Sequence, residues 1–381
     1  MRCKHFGICG GCTLPGVPYA EQLARKRTSL SRLLGIDVPP FIPSPLESGF
    51  RTKVAFVFGN GVMGHYALGS QRVVPIDECP VHHERGNRIA FALRDRLSRA
   101  RIAPGILRHV IIRTTADGRQ ASAMLVVSRN DKALRAPVKG LLASPERPDG
   151  FFVNIHTKPG PFMVGEETIK IDGRSHVKES IGGLSYLVSP TAFFQTNVGA
   201  AEILVKLVLE MIDGPTGSSP QRVLDLYCGS GLFSLAIART GAAVTAIEEN
   251  RQAITDAETN VRLNRLPAGQ IRFMAARVED ALGRVAKDPW DVIVLDPPRQ
   301  GCPPPVIGAV FERMRPKRVI YVSCNPDALA TELAVILKTG YRVTRVQPVD
   351  MFPHTDHIET VMAFERPPKA PKAQIVADAG D

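Results

Sequence analysis

Apolar and polar positions follow two different rhythms along this chain. Between residues 50 and about 171 the apolar residues come in short runs rich in β-branched and aromatic side chains, at 52–58, 73–76, 109–115, 121–128 and 151–156, a pattern that predicts strands. Gly59-Asn60-Gly61 supplies the turn chemistry of a hairpin. One helical stretch over 85–100 interrupts the set, so this middle region is expected to be mixed and mainly β. From about residue 191 helix and strand alternate. An amphipathic helix is predicted over 200–212, a linker over 214–220, and strands over 223–226, 243–247, 271–275, 292–295, 318–323 and 341–349, with helical patterns between most of them. Such alternation predicts an α/β fold with a parallel sheet covered on both faces. Ahead of both regions, residues 19–34 place Leu23, Leu30, Leu33 and Leu34 on a short basic helix. The expected divisions are 1–48, 49–185 and 186–366, followed by a disordered tail over 367–381, which is rich in Pro, Ala and Lys without periodicity.

A length of 381 residues accommodates two or three domains with cores of their own. No apolar run reaches the roughly 18 residues of a membrane span, and Met1-Arg2-Cys3-Lys4-His5 lacks the features of an export signal. A cytoplasmic protein without a membrane partner is expected. The formal charge of +11 and isoelectric point near 9.5 favour a polyanionic partner. Arg25, Lys26, Arg27, Arg32, Arg51 and Lys53 fall close together, as a surface for a phosphate backbone requires. One Trp and six Tyr give little sign of a general base-stacking platform.

Seven cysteines in such a chain argue against disulfides and for metal or catalytic use. Residues 1–16 are Cys- and Gly-rich and need a staple to form a core. The set Cys3-x5-Cys9-x2-Cys12, with Cys79-Pro80 downstream, offers four thiolates that suit zinc or an iron-sulfur cluster; spacing leaves both open.

The segment Val223-Leu224-Asp225-Leu226-Tyr227-Cys228-Gly229-Ser230-Gly231 reads as a buried strand, a glycine turn and a helix start, the Rossmann-like arrangement that receives an adenosine-bearing cofactor. Gly229 and Gly231 let the backbone approach the ligand, and Glu248, ending the next strand, is placed to accept hydrogen bonds from ribose hydroxyls. Asp296-Pro297-Pro298-Arg299 ends a later strand and resembles the substrate-facing loop of S-adenosylmethionine-dependent methyltransferases. Enzymes acting on exocyclic amines usually carry an aromatic residue after the prolines, and Arg299 in its place shifts the target toward carbon.

Carbon 5 of a pyrimidine needs activation before it can attack a methyl sulfonium. A thiolate adding at carbon 6 supplies it, and a base must then remove the carbon 5 proton. Cys324 in Ser323-Cys324-Asn325-Pro326 is assigned as the nucleophile and Glu359 as the base, both at the ends of apolar runs expected to form neighbouring strands. Cys228 is the main rival thiol and Cys302 a lesser one, while His354 and His357 read as hydrogen-bonded scaffolding.

Taken with Ser189-Pro190-Thr191-Ala192-Phe193-Phe194-Gln195-Thr196-Asn197 and Asp350-Met351-Phe352-Pro353-His354-Thr355, these motifs resemble the RNA uracil-5-methyltransferases over almost the whole chain. The resemblance implies a class I methyltransferase domain, a central RNA-binding domain and an N-terminal cluster region. It assigns the same roles to Cys324 and Glu359, and implies that Gln195, Tyr227, Glu248 and Asp296 contact S-adenosylmethionine. Leu232 stands where one member of the family uses an Asn for that contact. It further implies a [4Fe-4S] cluster on Cys3, Cys9, Cys12 and Cys79, as in the branch acting on large-subunit ribosomal RNA. With Cys3 so close to Met1, no oligonucleotide-binding TRAM barrel is expected ahead of it, as in the compact 23S enzymes, and the protein is expected to be a monomer. Another RNA such as transfer RNA, or a noncatalytic iron-sulfur RNA-binding factor, are the alternatives; joint retention of Cys324, Glu359 and Gln195 argues against the latter.

Overall fold

The computed structural model describes residues 2–14, 16–158, 163–214 and 221–367. Apart from their first residues, the expected linker and tail lie outside these.

The first sheet has seven strands, β1 (Lys53–Gly59), β2 (Val62–Tyr66), β3 (Val73–Pro75), β4 (Leu107–Thr114), β5 (Ala121–Val127), β6 (Gly150–Ile155) and β7 (Glu167–Gly173), in the order β3-β2-β1-β4-β5-β6-β7. All neighbours are antiparallel except β5 and β6. The Gly59-Asn60-Gly61 signal forms the β1–β2 hairpin with Asn60 and Gly61 both at positive φ (51° and 78°), the twist that a two-residue hairpin turn needs. Helices α2 (Glu84–Leu97) and α3 (Arg135–Leu142) cover one face of this sheet.

A hairpin of β8 (Val177–Ile181) and β9 (Leu184–Val188) leads to the second sheet. Its strands are β10 (Arg222–Leu226), β11 (Ala243–Glu248), β12 (Ile271–Ala275), β13 (Val292–Leu295), β14 (Arg318–Ser323), β15 (Arg342–Val349) and β16 (Glu359–Glu365), in the order β12-β11-β10-β13-β14-β16-β15. Six strands run in one direction and β16 alone runs antiparallel to its neighbours β14 and β15. The expected all-parallel sheet is corrected here: β16 inserts between β14 and β15, so the strand ending at Val349 is not the neighbour of β14. Helices α4 (Val198–Asp213), α5 (Leu232–Arg239) and α6 (Arg251–Leu263) pack on one face. On the other lie α7 (Val278–Val285), α8 (Pro304–Gly308) and α9 (Pro326–Lys338), together with the N-terminal helix α1 (Tyr19–Leu34). Among the described residues no helix is long and apolar enough to cross a membrane.

Helix α1 ends where Gly35 takes a left-handed φ of 67° and its N–H bonds the Ser31 carbonyl. Its buried stripe is Gln22, Lys26, Leu30 and Leu34. Leu30 and Leu34 are as expected, but Leu23 and Leu33 are only partly buried, and in the N-terminal half Gln22 and Lys26 take the inward positions because they face polar groups of the loop between β15 and β16.

Candidate active site

The second sheet reverses its strand order between β10 and β13, the switch point at which open α/β sheets bind ligands. A cavity of about 760 Å³ opens there, lined among others by Gln195, Tyr227, Gly229, Glu248, Asp296, Cys324 and Glu359. After β10 the backbone turns sharply: Tyr227 (φ 66°), Gly229 (54°) and Gly231 (86°) all have positive φ. The N–H groups of Tyr227 and Cys228 bond the Ile247 carbonyl at 2.9 and 3.1 Å, tying the turn to β11. A left-handed Tyr is strained by about 1 kcal/mol or more, and such strain gathers at functional sites. Beneath the turn Asp225 is fully buried and accepts from the Ser234 hydroxyl; burial pushes its carboxyl up to about 7. Glu248 accepts from the N–H groups of Gly229 (3.1 Å) and Asn250 (2.9 Å).

Strand β14 ends at Ser323, which pairs with Thr360 of β16. Cys324 follows directly after β14 and Glu359 opens β16, so the two stand at the same end of this strand pair, with Glu359 close enough to act on the Cys324 thiol. The Cys324 thiol is pushed up to about 11, first by burial and then by Glu359 and Asp296, while Arg299 opposes the rise. Glu359 is also held well above the usual carboxylate range by burial and Asp296, again opposed by Arg299. Asp296 itself rises to about 7, through burial, Asp225 and Glu248. A thiol and three neighbouring acids are thus poised toward their neutral forms, with one guanidinium acting the other way.

Cys228 also lines the cavity, but it is buried, with its thiol pushed well up by that burial. Cys302 lies behind the lining, its N–H bonded to Glu332 at 2.8 Å. His354 fits the scaffolding reading: it is buried with φ 66°, its Nδ1 3.1 Å from Gln22 Nε2 and its Nε2 2.9 Å from the Glu47 carbonyl. His357 stands at the rim, its Nε2 3.4 Å from Arg299.

A second cavity, of about 390 Å³, is lined by Cys3, Cys9, Cys12 and Cys79 together with Arg51, Lys53, His65 and His82. All seven cysteines are free. Burial raises the thiols of Cys9, Cys12 (to about 11) and Cys79 (to about 12), so ionised sulfur here requires a cation or a metal. His65, which the sequence did not single out, brings a ring nitrogen within 4.8 Å of donor atoms of both Cys79 and His82. His83 instead caps α2 through Nδ1, which accepts from the Arg85 N–H.

The basic cluster expected to receive a phosphate backbone is dispersed. Lys26 is buried and paired with Asp350 at 2.7 Å, Arg25 pairs with Glu21 and Arg27 with Asp37, and Arg51 and Lys53 line the cysteine cavity. The cause is the docking of α1 against the catalytic sheet, which turns part of its charge inward.

The fold and its switch-point cavity define a class I methyltransferase. Residues 166–367 match the family described as tRNA (uracil-5-)-methyltransferase. RNA methyltransferases of Caldanaerobacter subterraneus (32% identical, over 96% of this chain and 84% of the relative) and Gloeobacter violaceus (33%, over 94% and 81%) are similar along nearly the whole length. The crystal structure of Pyrococcus abyssi tRNA (uracil-54, C5)-methyltransferase in complex with S-adenosyl-L-homocysteine superposes with a TM-score of 0.80 at 28% identity, covering 93% of this chain and 84% of that one. The chain belongs to this family and is an RNA (uracil-5-)-methyltransferase.

Proposed function

We propose that the protein methylates carbon 5 of a uridine in 23S ribosomal RNA, with Cys324 as nucleophile and Glu359 as base. The observation that carries this reading is that Cys324 and Glu359, at the same end of the paired strands β14 and β16, line one cavity with Asp296. S-adenosylmethionine, when bound, supplies an electrophilic methyl group. The cavity is large enough for it, and the buried Ser230 hydroxyl beside the turn finds no partner among the described residues, as a ligand-facing group would. Gln195, Tyr227, Gly229, Gly231, Glu248 and Asp296 would hold it; Leu232, also in the lining, offers only apolar contact.

The Cys324 thiolate adds to carbon 6, and the electron pair of the carbon 5–carbon 6 double bond passes through carbon 5 to form the new carbon–methyl bond, the methyl–sulfonium bond of the bound donor breaking with its electron pair left on the sulfur of the departing thioether. The Glu359 carboxylate then takes the carbon 5 proton. The electrons of that C–H bond restore the double bond as the carbon 6–sulfur bond breaks and returns the thiolate. Arg299 favours the ionised forms of both groups. For the base to reach this pocket it must leave the RNA stack.

The four N-terminal thiols would hold a [4Fe-4S] cluster. The donor set fits: they line one cavity in which Glu78 is the one carboxylate among the lining residues, beside the cations Arg51 and Lys53, so the charge of an anionic tetrathiolate centre would be partly offset there. This set supports the ribosomal branch, acting in the cytoplasm, with residues 49–185 as the RNA-binding unit and 186–366 as the catalytic one. A transfer RNA substrate is the second reading, favoured by the named substrate of the similar Pyrococcus abyssi enzyme.

The test is nucleoside mass spectrometry of unmodified large-subunit ribosomal RNA incubated with anaerobically purified protein and labelled S-adenosylmethionine. Labelled 5-methyluridine at one position is expected. Label in transfer RNA alone overturns the substrate, and label as 5-methylcytosine overturns the target base.

A further inference from the structure

Two polar side chains that the active-site chemistry does not use converge on the loop that ends at Glu359. Gln22 lies fully buried on the same stripe of α1 as Leu30 and Leu34, where helix packing alone asks for an apolar residue. Every polar group it has is engaged. Its Nε2 donates to the Val17 carbonyl (2.8 Å) and meets His354 Nδ1 (3.1 Å), and its Oε1 accepts from the His354 N–H (2.8 Å). The His354 Nε2 reaches the Glu47 carbonyl, so the ring is held as one tautomer on a backbone fixed at positive φ.

The opposite grip comes from the cysteine-bearing segment. The N–H groups of Thr13 and Leu14 both donate to the His354 carbonyl, at 3.0 and 3.1 Å. The Asp356 N–H donates back to the Thr13 hydroxyl at 2.8 Å. Thr13 directly follows Cys12, and Asp356 stands three residues before Glu359. The loop joining β15 to the start of β16 is therefore clasped from two sides by residues more than 300 positions away in sequence.

We propose that Gln22 and Thr13 are positioning residues for proton abstraction: they hold the 350–358 loop so that Glu359 points at carbon 5 of the Cys324-bound uridine. The inference rests on Glu359 acting as the base. The step concerned breaks the carbon 5–hydrogen bond, delivers that proton to the Glu359 carboxylate, re-forms the carbon 5–carbon 6 double bond and releases the Cys324 thiolate. Loosening the clasp slows this step after methyl transfer has occurred, so enzyme and methylated RNA remain joined. Because Cys12 adjoins Thr13, whatever fixes Cys12 also tightens the clasp.

The experiment compares Thr13→Val, Thr13→Ser and Gln22→Met with wild type and with Glu359→Gln, using one RNA substrate and labelled S-adenosylmethionine. Expected for Thr13→Val and Gln22→Met are cofactor and RNA affinities within about twofold of wild type. Their kcat should fall about tenfold, the rate equivalent of one or two lost hydrogen bonds, and a methylated protein–RNA adduct should accumulate on a denaturing gel. Thr13→Ser, which keeps the hydroxyl, should behave as wild type. Thr13 is solvent-exposed, so its variants report even if Gln22→Met folds poorly. Wild-type turnover in Thr13→Val, or a loss of kcat without adduct, overturns the proposal while leaving the function intact, provided Glu359→Gln traps adduct. Absence of adduct in Glu359→Gln overturns the assignment of the base itself.

Discussion

Replacing Lys26 by Met removes one charge from an ion pair sealed between α1 and the catalytic sheet. Lys26 Nζ lies 2.7 Å from Asp350, with side-chain exposures of 2% and 0%, and 3.1 Å from the Phe352 carbonyl. Burial pulls the Lys26 ammonium below its ordinary range, against the opposing pull of Asp350, so desolvation is not fully repaid even with the partner in place. Met keeps most of the stem's volume but leaves a carboxylate with no solvent and no cation, a change that costs about 3–5 kcal/mol. Against a total stability of roughly 5–15 kcal/mol this is a large fraction. The single tryptophan, Trp290, is buried in the same apolar cluster as Leu30 and Leu34 of α1, so urea unfolding followed by its fluorescence reads the loss directly. Replacing both partners, Lys26→Met with Asp350→Leu, removes the stranded charge and should recover most of it. A Lys26→Met protein within about 0.5 kcal/mol of wild type, or a double variant no more stable than the single one, would refute the reasoning.

Cys324→Ala should bind S-adenosylmethionine as wild type by calorimetry yet form neither product nor adduct; methylated RNA from that variant would remove the proposed nucleophile. Both Cys324, raised to about 11, and Glu359 gain reactivity on losing a proton, so kcat/KM should climb steadily between about pH 6 and 9. A flat profile would contradict this, and Arg299→Met, which removes the cation favouring both ionised forms, should move the climb to higher pH. Gly64→Ala should cost about 2 kcal/mol or more, because a Cβ there would sit 1.7 Å from the Val74 carbonyl oxygen; an unchanged denaturation midpoint would show that β3 yields. Cys79→Ser should lower bound iron well below the roughly four atoms per chain of a [4Fe-4S] centre, and full retention would exclude Cys79 as a ligand.

What the sequence made legible follows signal strength. Asp225, Gly229, Gly231, Glu248 and Asp296 were readable because a buried strand followed by a glycine turn imposes spacing that few other structures need. Gly229, Glu248 and Asp296 line one cavity with Cys324 and Glu359, Asp225 lies beneath the turn bonded to Ser234, and Gly231 caps the start of α5 without entering the lining. The β8–β9 hairpin is absent from the expected strands although β8 alternates buried and exposed residues strictly before Gly182-Gly183, the pattern of a half-buried strand. Strand β7 is mostly exposed and carries no such alternation. Strand β16 is buried along nearly all its length, and its apolar run was subsumed in the motif that ends at Glu359. The inward face of α1 was illegible for a different reason: Gln22 and Lys26 satisfy partners more than 300 residues away, and helical periodicity assigns polar residues to solvent.

The electrostatics of the cavity bear on the state of the proposed nucleophile before a ligand binds. Burial, Glu359 and Asp296 together push the Cys324 thiol up to about 11, and Cys oxidation and alkylation proceed through the thiolate. Burial and neighbouring acids push the thiol and Glu359 in the same direction, so any positive charge entering the cavity lowers both together. A sulfonium ligand brings one such charge, and Arg299 at the rim already supplies another. With the roles proposed for Cys324 and Glu359, a cationic ligand would therefore favour the ionised form of both groups at once.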